Sequence, residues 1–226
     1  MIEIDVFRGA SATTAPIRHA EICRPISLAG GRVLLADMVT EGFFRSSRAD
    51  GSDKTYRVVN NVLFTLEDQA MRPGLPAPWR ELVDDLTSDA YTEAVSVLLD
   101  MSLTDCPREI TLKRYLYGDF ISMHTDSAAV RATHLIFLNQ CWQESWGGLF
   151  CFHDKTGAIC RSFLPVLDSS VVFARSSTSW HSVTPVETKD AERIAIQVVF
   201  WNDRTRHVAP GRREEPWMSP GSGSPA

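Results

Sequence analysis

Tyr115-Leu116-Tyr117-Gly118-Asp119-Phe120-Ile121-Ser122-Met123-His124-Thr125-Asp126 is the stretch from which the rest of the chain can be read. In an extended strand successive side chains alternate faces, so His124 and Asp126 point the same way. A second histidine follows in Ser179-Trp180-His181-Ser182-Val183, and Arg193 opens an apolar run beyond it. Two histidines and a carboxylate meeting at one point form a set that holds one face of an octahedral Fe(II) and leaves the opposite face open.

Around this stretch the apolar pattern has period two. Segments 109–117, 133–139, 148–153, 159–164, 170–174, 181–185 and 193–201 read as strands punctuated by Pro, Gly, Asp and Asn, which predicts a sandwich or barrel. Upstream the spacing changes. Leu82, Val83 and Leu86, then Ala94, Val95, Leu98 and Leu99, mark two helices over 79–86 and 88–101, with Ser88 as an N-cap and Asp89 complementing the dipole. Ser27 is placed to cap a helix over about 28–40, although Gly30 and Gly31 weaken it. Residues 55–66 are β-rich, Ile2, Ile4 and Val6 alternate like a short strand, and 45–54 is a polar loop. From about residue 209 the chain is rich in Pro, Gly, Ser and charge, and is expected to be a disordered tail. The reading is one domain, 1–208, with its barrel core at 108–202.

Composition narrows the function. The 226 residues carry a net charge of −5 with no dense basic stripe, which argues against a nucleic-acid partner. Five cysteines without a CxxC pair suit free thiols in a reducing cytoplasm. No apolar run approaches the roughly 18 residues that span a bilayer, and the first residues carry no secretory signature.

The pattern Tyr115-x-x-Gly118-Asp119-Phe120-x-x-x-His124-x-Asp126, then Trp146-Gly147-Gly148, His181 and Arg193, resembles the iron(II)/2-oxoglutarate dioxygenases of the prolyl-4-hydroxylase-like branch. The resemblance covers roughly 108–202. It implies a double-stranded β-helix, a cupin-like jelly roll with α-helices on its larger sheet. It also implies His124, Asp126 and His181 as metal ligands and catalytic centre, with Fe(II), 2-oxoglutarate and O₂ as cofactor and co-substrates. Family halogenases replace the carboxylate by a small residue; Asp126 is present, so hydroxylation or a related C–H oxidation is implied. Tyr115 matches a family tyrosine that reaches the co-substrate, a locally satisfied buried tyrosine being the alternative. In this family, loops like 45–54 often cover the mouth of the site.

Arg193 can also be placed from its strand. Ile194, Ile196, Val198 and Phe200 form one apolar face, so Arg193 shares the opposite face with Ala195, Gln197, Val199 and Trp201 and is expected to enter the lumen. A buried guanidinium needs an anionic partner, and the distal carboxylate of 2-oxoglutarate fits. Lys189 is the fallback. Phe137 stands where some relatives have a tyrosine against that carboxylate, which leaves Thr133 or a serine to help. Arg131 is either a ligand for a substrate carboxylate or a surface charge. The substrate expected is a small metabolite, such as an amino acid or natural-product precursor, with a prolyl residue in a peptide or protein as runner-up. Two other readings compete. A non-catalytic cupin-like binding protein would not need Arg193, and a zinc hydrolase would favour three histidines or His₂Glu.

Overall fold

The computed structural model describes residues 1–51, 53–204 and 212–218. In chain order its elements are α1 (Ile4–Gly9), β1 (His19–Cys23), α2 (Leu28–Ala36), β2 (Phe44–Arg48), β3 (Tyr56–Phe64), α3 (Ala77–Thr87), α4 (Asp89–Leu99), β4 (Arg108–Tyr115), β5 (Phe120–His124), β6 (Val130–Phe137), β7 (Phe150–His153), β8 (Ile159–Phe163), β9 (Ser169–Ala174), β10 (His181–Val183), β11 (Arg193–Trp201) and β12 (Arg213–Pro216).

The strands form one antiparallel sheet in the order β1-β9-β6-β11-β4-β3-β5-β10-β7-β8, with β2 on β3 and β12 on β2. The sheet curls until its ends meet. His19 of β1 packs edge-on against Phe152 of β7 and Phe163 of β8, and Glu21 pairs with Arg161. This is the expected double-stranded β-helix, with helices against its larger face.

Period two sorts the side chains. Ile110, Leu112, Ala132, Ile136, Val172, Ile196, Val198 and Phe200 face outward into a core shared with α1 to α4. Their neighbours Tyr115, Leu135, Phe137, Val171, Phe173 and Ala195 face inward and meet Phe150, Phe152 and Val183 from the opposite wall. The helices dock as expected. Ser88 Oγ accepts from Tyr91 N at the start of α4, and the buried Trp79 of α3 donates from Nε1 to Leu34 O and Asp37 O at the end of α2.

Four segments depart from the sequence expectation. Ile4 and Val6 lie in the helix α1 rather than a strand, because Phe7 buries there against Tyr91 and His134. The helix expected over 28–40 stops at Ala36. The polar loop expected at 45–54 begins as β2, whose Arg- and Ser-rich sequence is held by pairing with β3 along Phe44–Arg48. Of the tail expected to be disordered from 209, residues 213–216 form β12 on the free edge of β2; 209–211 and 219–226 lie outside the described residues. Among the described residues no helix is long and apolar enough to cross a membrane.

Candidate metal and co-substrate site

β5 and β10 run side by side, and their register pairs His124 directly with His181. The imidazole centroids are 4.2 Å apart. Asp126 lies just beyond the end of β5, two residues after His124, so it shares that residue's face. Its Oδ1 is 3.7 Å from Nε2 of both histidines. One ligand atom from each of the three residues lies within 4.8 Å of the others, a group that could hold a metal ion.

The surroundings fix which atoms are offered. His124 Nδ1 is 2.9 Å from Ser122 O, and His181 Nδ1 is 2.9 Å from Ser179 O. A carbonyl can only accept, so each Nδ1 carries the proton and each Nε2 keeps its lone pair facing Asp126. Asp126 Oδ2 accepts from Thr133 Oγ1 at 3.0 Å, leaving Oδ1 for the centre. Arg175 Nε donates to Asp126 O and holds the backbone after β5. Burial, then His124, hold the imidazolium of His181 down at about 4 against the pull of Asp126. Burial alone would raise the Asp126 carboxyl, but His181 and His124 beside it hold it well below the usual carboxylate range. A neutral imidazole next to an ionised carboxylate is the protonation state that metal binding needs.

Arg193 enters the lumen as its strand face implied and is 1 % exposed. Register sets it opposite Tyr115 on β4, and its guanidinium lies 4.7 Å from the Tyr115 ring and 5.3 Å from the Phe137 ring. Nε donates to Gly148 O at 2.7 Å, while buried Nη2 has no partner among the described residues. Gly147 and Gly148 make this contact possible. Both have positive φ, a Cβ on Gly147 would stand 2.0 Å from Pro185 O, and one on Gly148 would crowd Arg193 Cδ at 3.2 Å. Burial pushes the Tyr115 hydroxyl up to about 12, so it stays protonated and able to donate.

His124, Asp126, His181, Tyr115 and Arg193 all line one cavity of about 220 Å³. Other sequence candidates fall elsewhere. Lys189 is exposed, its ammonium over the ring of Tyr117. Arg131 lies beside Cys106 rather than on the cavity wall. Thr133 serves Asp126, not Arg193. His134 is a core residue bridging Tyr91 Oη (2.8 Å) and Ser170 Oγ (3.0 Å). His153 bonds Ser182 Oγ and Gly157 O, His19 bonds Ile17 O, and His207 lies outside the described residues. Sequence reasoning passed over Lys113, whose inward direction was available from its place two residues before Tyr115. It also passed over Arg212, which only the return of the chain to β2 brings to the cavity.

Residues 110–201 match the family model of the 2OG-Fe(II) oxygenase superfamily. No curated protein matches the chain. Among solved structures it is similar to a Pseudomonas putida prolyl-4-hydroxylase (TM-score 0.58, 17% identity, covering 88% of this chain and 96% of that one). It is also similar to a Trichoplax adhaerens prolyl hydroxylase in complex with a hypoxia inducible factor peptide fragment (0.56, 14%, 81% and 83%). A third likeness is to AviO1 from Streptomyces viridochromogenes Tue57 (0.52, 15%, 88% and 93%). At these identities the neighbours establish the fold alone. The match makes the barrel segment, residues 110–201, a 2OG-Fe(II) oxygenase domain, of the superfamily that works with iron(II), 2-oxoglutarate and O₂.

Proposed function

We propose that the chain is a hydroxylase of small metabolites, an amino acid or natural-product precursor, in which His124, Asp126 and His181 ligate iron and Arg193 and Tyr115 bind 2-oxoglutarate. The observation that carries this reading is the pairing of two features in one cavity. A His-Asp-His group presents two Nε2 atoms and one carboxylate oxygen, and a buried guanidinium beside it has an unpartnered Nη2. A buried guanidinium nitrogen without an acceptor is costly, and a carboxylate ligand supplies what Nη2 is missing.

When bound, iron and 2-oxoglutarate supply oxidative chemistry that hydroxylates a substrate C–H while 2-oxoglutarate is decarboxylated to succinate. The residues of this chain prepare that chemistry. Ser122 O and Ser179 O orient the two imidazoles, and Thr133 orients the carboxylate. Arg193, steered by Gly148 O, receives the distal carboxylate of the co-substrate, and the Tyr115 hydroxyl is a second donor. Phe150 and Phe173 pack against the His181 ring and keep water from that side. A prolyl residue in a peptide is the second reading, favoured by the prolyl hydroxylases among the fold neighbours.

The test is an anaerobic titration of the protein with Fe(II) and 2-oxoglutarate, reading the visible metal-to-ligand charge-transfer band of a chelated 2-oxo acid. The band is expected in the wild type and lost in His181→Ala and Asp126→Ala. A folded wild type that forms no band refutes the assignment of these ligands.

A further inference from the structure

The inward face of β4 carries, in sequence, Glu109, Thr111, Lys113 and Tyr115, and all four line the cavity. Lys113 lies one pleat from Tyr115, about 6.6 Å along the strand, and so one step beyond the Arg193 end of the lumen. Its register partners are Asn60 on β3 and Ala195 on β11. An ammonium has three donors. Lys113 Nζ has one hydrogen-bond partner among the described residues, Asn60 Oδ1 at 3.0 Å. Asn60 is thereby turned to offer its oxygen to Lys113, which leaves its Nδ2 as a further donor.

A second cation reaches the same cavity from the far end of the sequence. Pairing of β12 with β2 sets Arg212 beside Ser46, where Nη2 donates to Ser46 Oγ and pairs with Glu214. Its buried Nε has no partner among the described residues. Lys54 also lines the cavity.

The charges of the cavity indicate what is absent. With the proposed occupants in place, the divalent iron and Arg193 cancel the Asp126 carboxylate and the dianionic 2-oxoglutarate. Arg212 is already paired with Glu214, so the remaining charged side chains of the lining are Lys54 and Lys113 against Glu109, an excess of one positive charge. A lumen in this state, with an incompletely bonded ammonium and a buried, unpartnered guanidinium nitrogen, favours an anion.

We propose that Lys113, Asn60 and Arg212 form an anchoring subsite for the carboxylate of the substrate, so that the molecule oxidised is a small organic acid held by its acid group. This deepens the proposed function and rests on it. The subsite lines the same cavity as the His-Asp-His group, so an acid anchored there keeps its carbon chain within that cavity. A long peptide would have its charged terminus outside.

The probe is a panel of free and N-acylated α-amino acids, each with its matched methyl ester, added anaerobically to the protein loaded with Fe(II) and 2-oxoglutarate. The readout is the substrate-induced shift of the charge-transfer band and the stimulation of succinate formation. Acids are expected to act and their esters to need at least about tenfold more, since the ester lacks the charge. Lys113→Met is expected to raise the half-saturating concentration of an active acid about 30-fold or more while the 2-oxoglutarate band still forms. Lys113→Arg, which keeps the charge, restores much of the loss, and Arg212→Gln gives a smaller increase. Three results overturn the subsite: no acid of the panel acts, esters act as well as acids, or Lys113→Met binds the acid like the wild type. Prolyl peptides with blocked termini acting equally on the wild type and Lys113→Met would establish the peptide reading instead. A wild type that forms no band at all sinks the oxygenase ligand assignment, a different failure.

Discussion

Replacing Arg193 by Met separates a binding role from a structural one, because the two roles predict opposite balances of effect. Met is unbranched and fills most of the space of the arginine stem between Tyr115 and Phe137. What it loses in the unliganded protein is one hydrogen bond to Gly148 O, worth about 1 kcal/mol, and a cation–π contact of about the same size. What it removes is a buried cation whose Nη2 has no partner among the described residues and whose charged form burial disfavours. The terms nearly offset, so Tm is expected to stay within roughly 3 °C of the wild type. The liganded state differs. Two charge-assisted hydrogen bonds to a carboxylate, at about 1.5 kcal/mol each, are lost outright, and about 3 kcal/mol is roughly a 150-fold weaker Kd for 2-oxoglutarate. The assay is the anaerobic charge-transfer titration on both proteins, with thermal unfolding of each in the absence of ligand. A Tm lowered by ten degrees or so with an unchanged Kd would show that Arg193 is a structural residue, and the co-substrate site would have to move.

Thr133→Val removes the donor to Asp126 Oδ2 while keeping the shape of the side chain; metal affinity is expected to fall about 10- to 100-fold, read by Fe(II) titration, with little change in Tm. An unchanged affinity would make that bond incidental. Tyr91→Phe leaves His134 Nδ1 buried without its partner and is expected to cost about 1–3 kcal/mol of stability in urea unfolding with no effect on the site. Burial holds His134 down at about 3, below its unfolded value of 6.5, so the unfolded chain takes up the proton first. The His134 contribution is therefore complete above pH 6.5 and is lost as pH falls towards 3, and His134→Leu should flatten acid unfolding over that window. Burial similarly lowers Lys113 to about 8, offset by Glu109 and reinforced by Arg212 and Lys54. The ammonium is charged below that pH, so KM for an anionic substrate should rise as pH passes upward through about 8; a flat KM from pH 7 to 9 would argue that Lys113 does not hold the substrate.

The strands after residue 108 were readable because each has one face in the helix-backed core and one in the lumen, which writes a period of two into the sequence. On β11 the apolar row Ile194, Ile196, Val198 and Phe200 was enough to place Arg193 inside. His124 and Asp126 were readable for the same reason, since two residues apart on extended backbone means one face. Ser88 was readable as a cap because its chemistry is local.

The other features depend on partners distant in sequence. β2 is Phe-Arg-Ser-Ser-Arg, with no strand signature of its own; it is a strand because the β3 edge offers unpaired backbone groups, and β12 follows on β2 for the same reason. Ile4 and Val6 went into a helix because the buried surface there is set by Phe7 against Tyr91 and His134, which no alternation of residues 2, 4 and 6 encodes. The sequence by itself determined which side chains share a face, and with that the barrel, the His-Asp pair and the inward arginine. Only the tertiary structure decided which faces meet: His181 opposite His124, Thr133 on Asp126, Gly148 O on Arg193, Asn60 on Lys113, and Arg212 beside Ser46. The physical reason is that periodicity records burial, which is a property of one strand, whereas register and curl are set by backbone pairing between strands far apart in the chain.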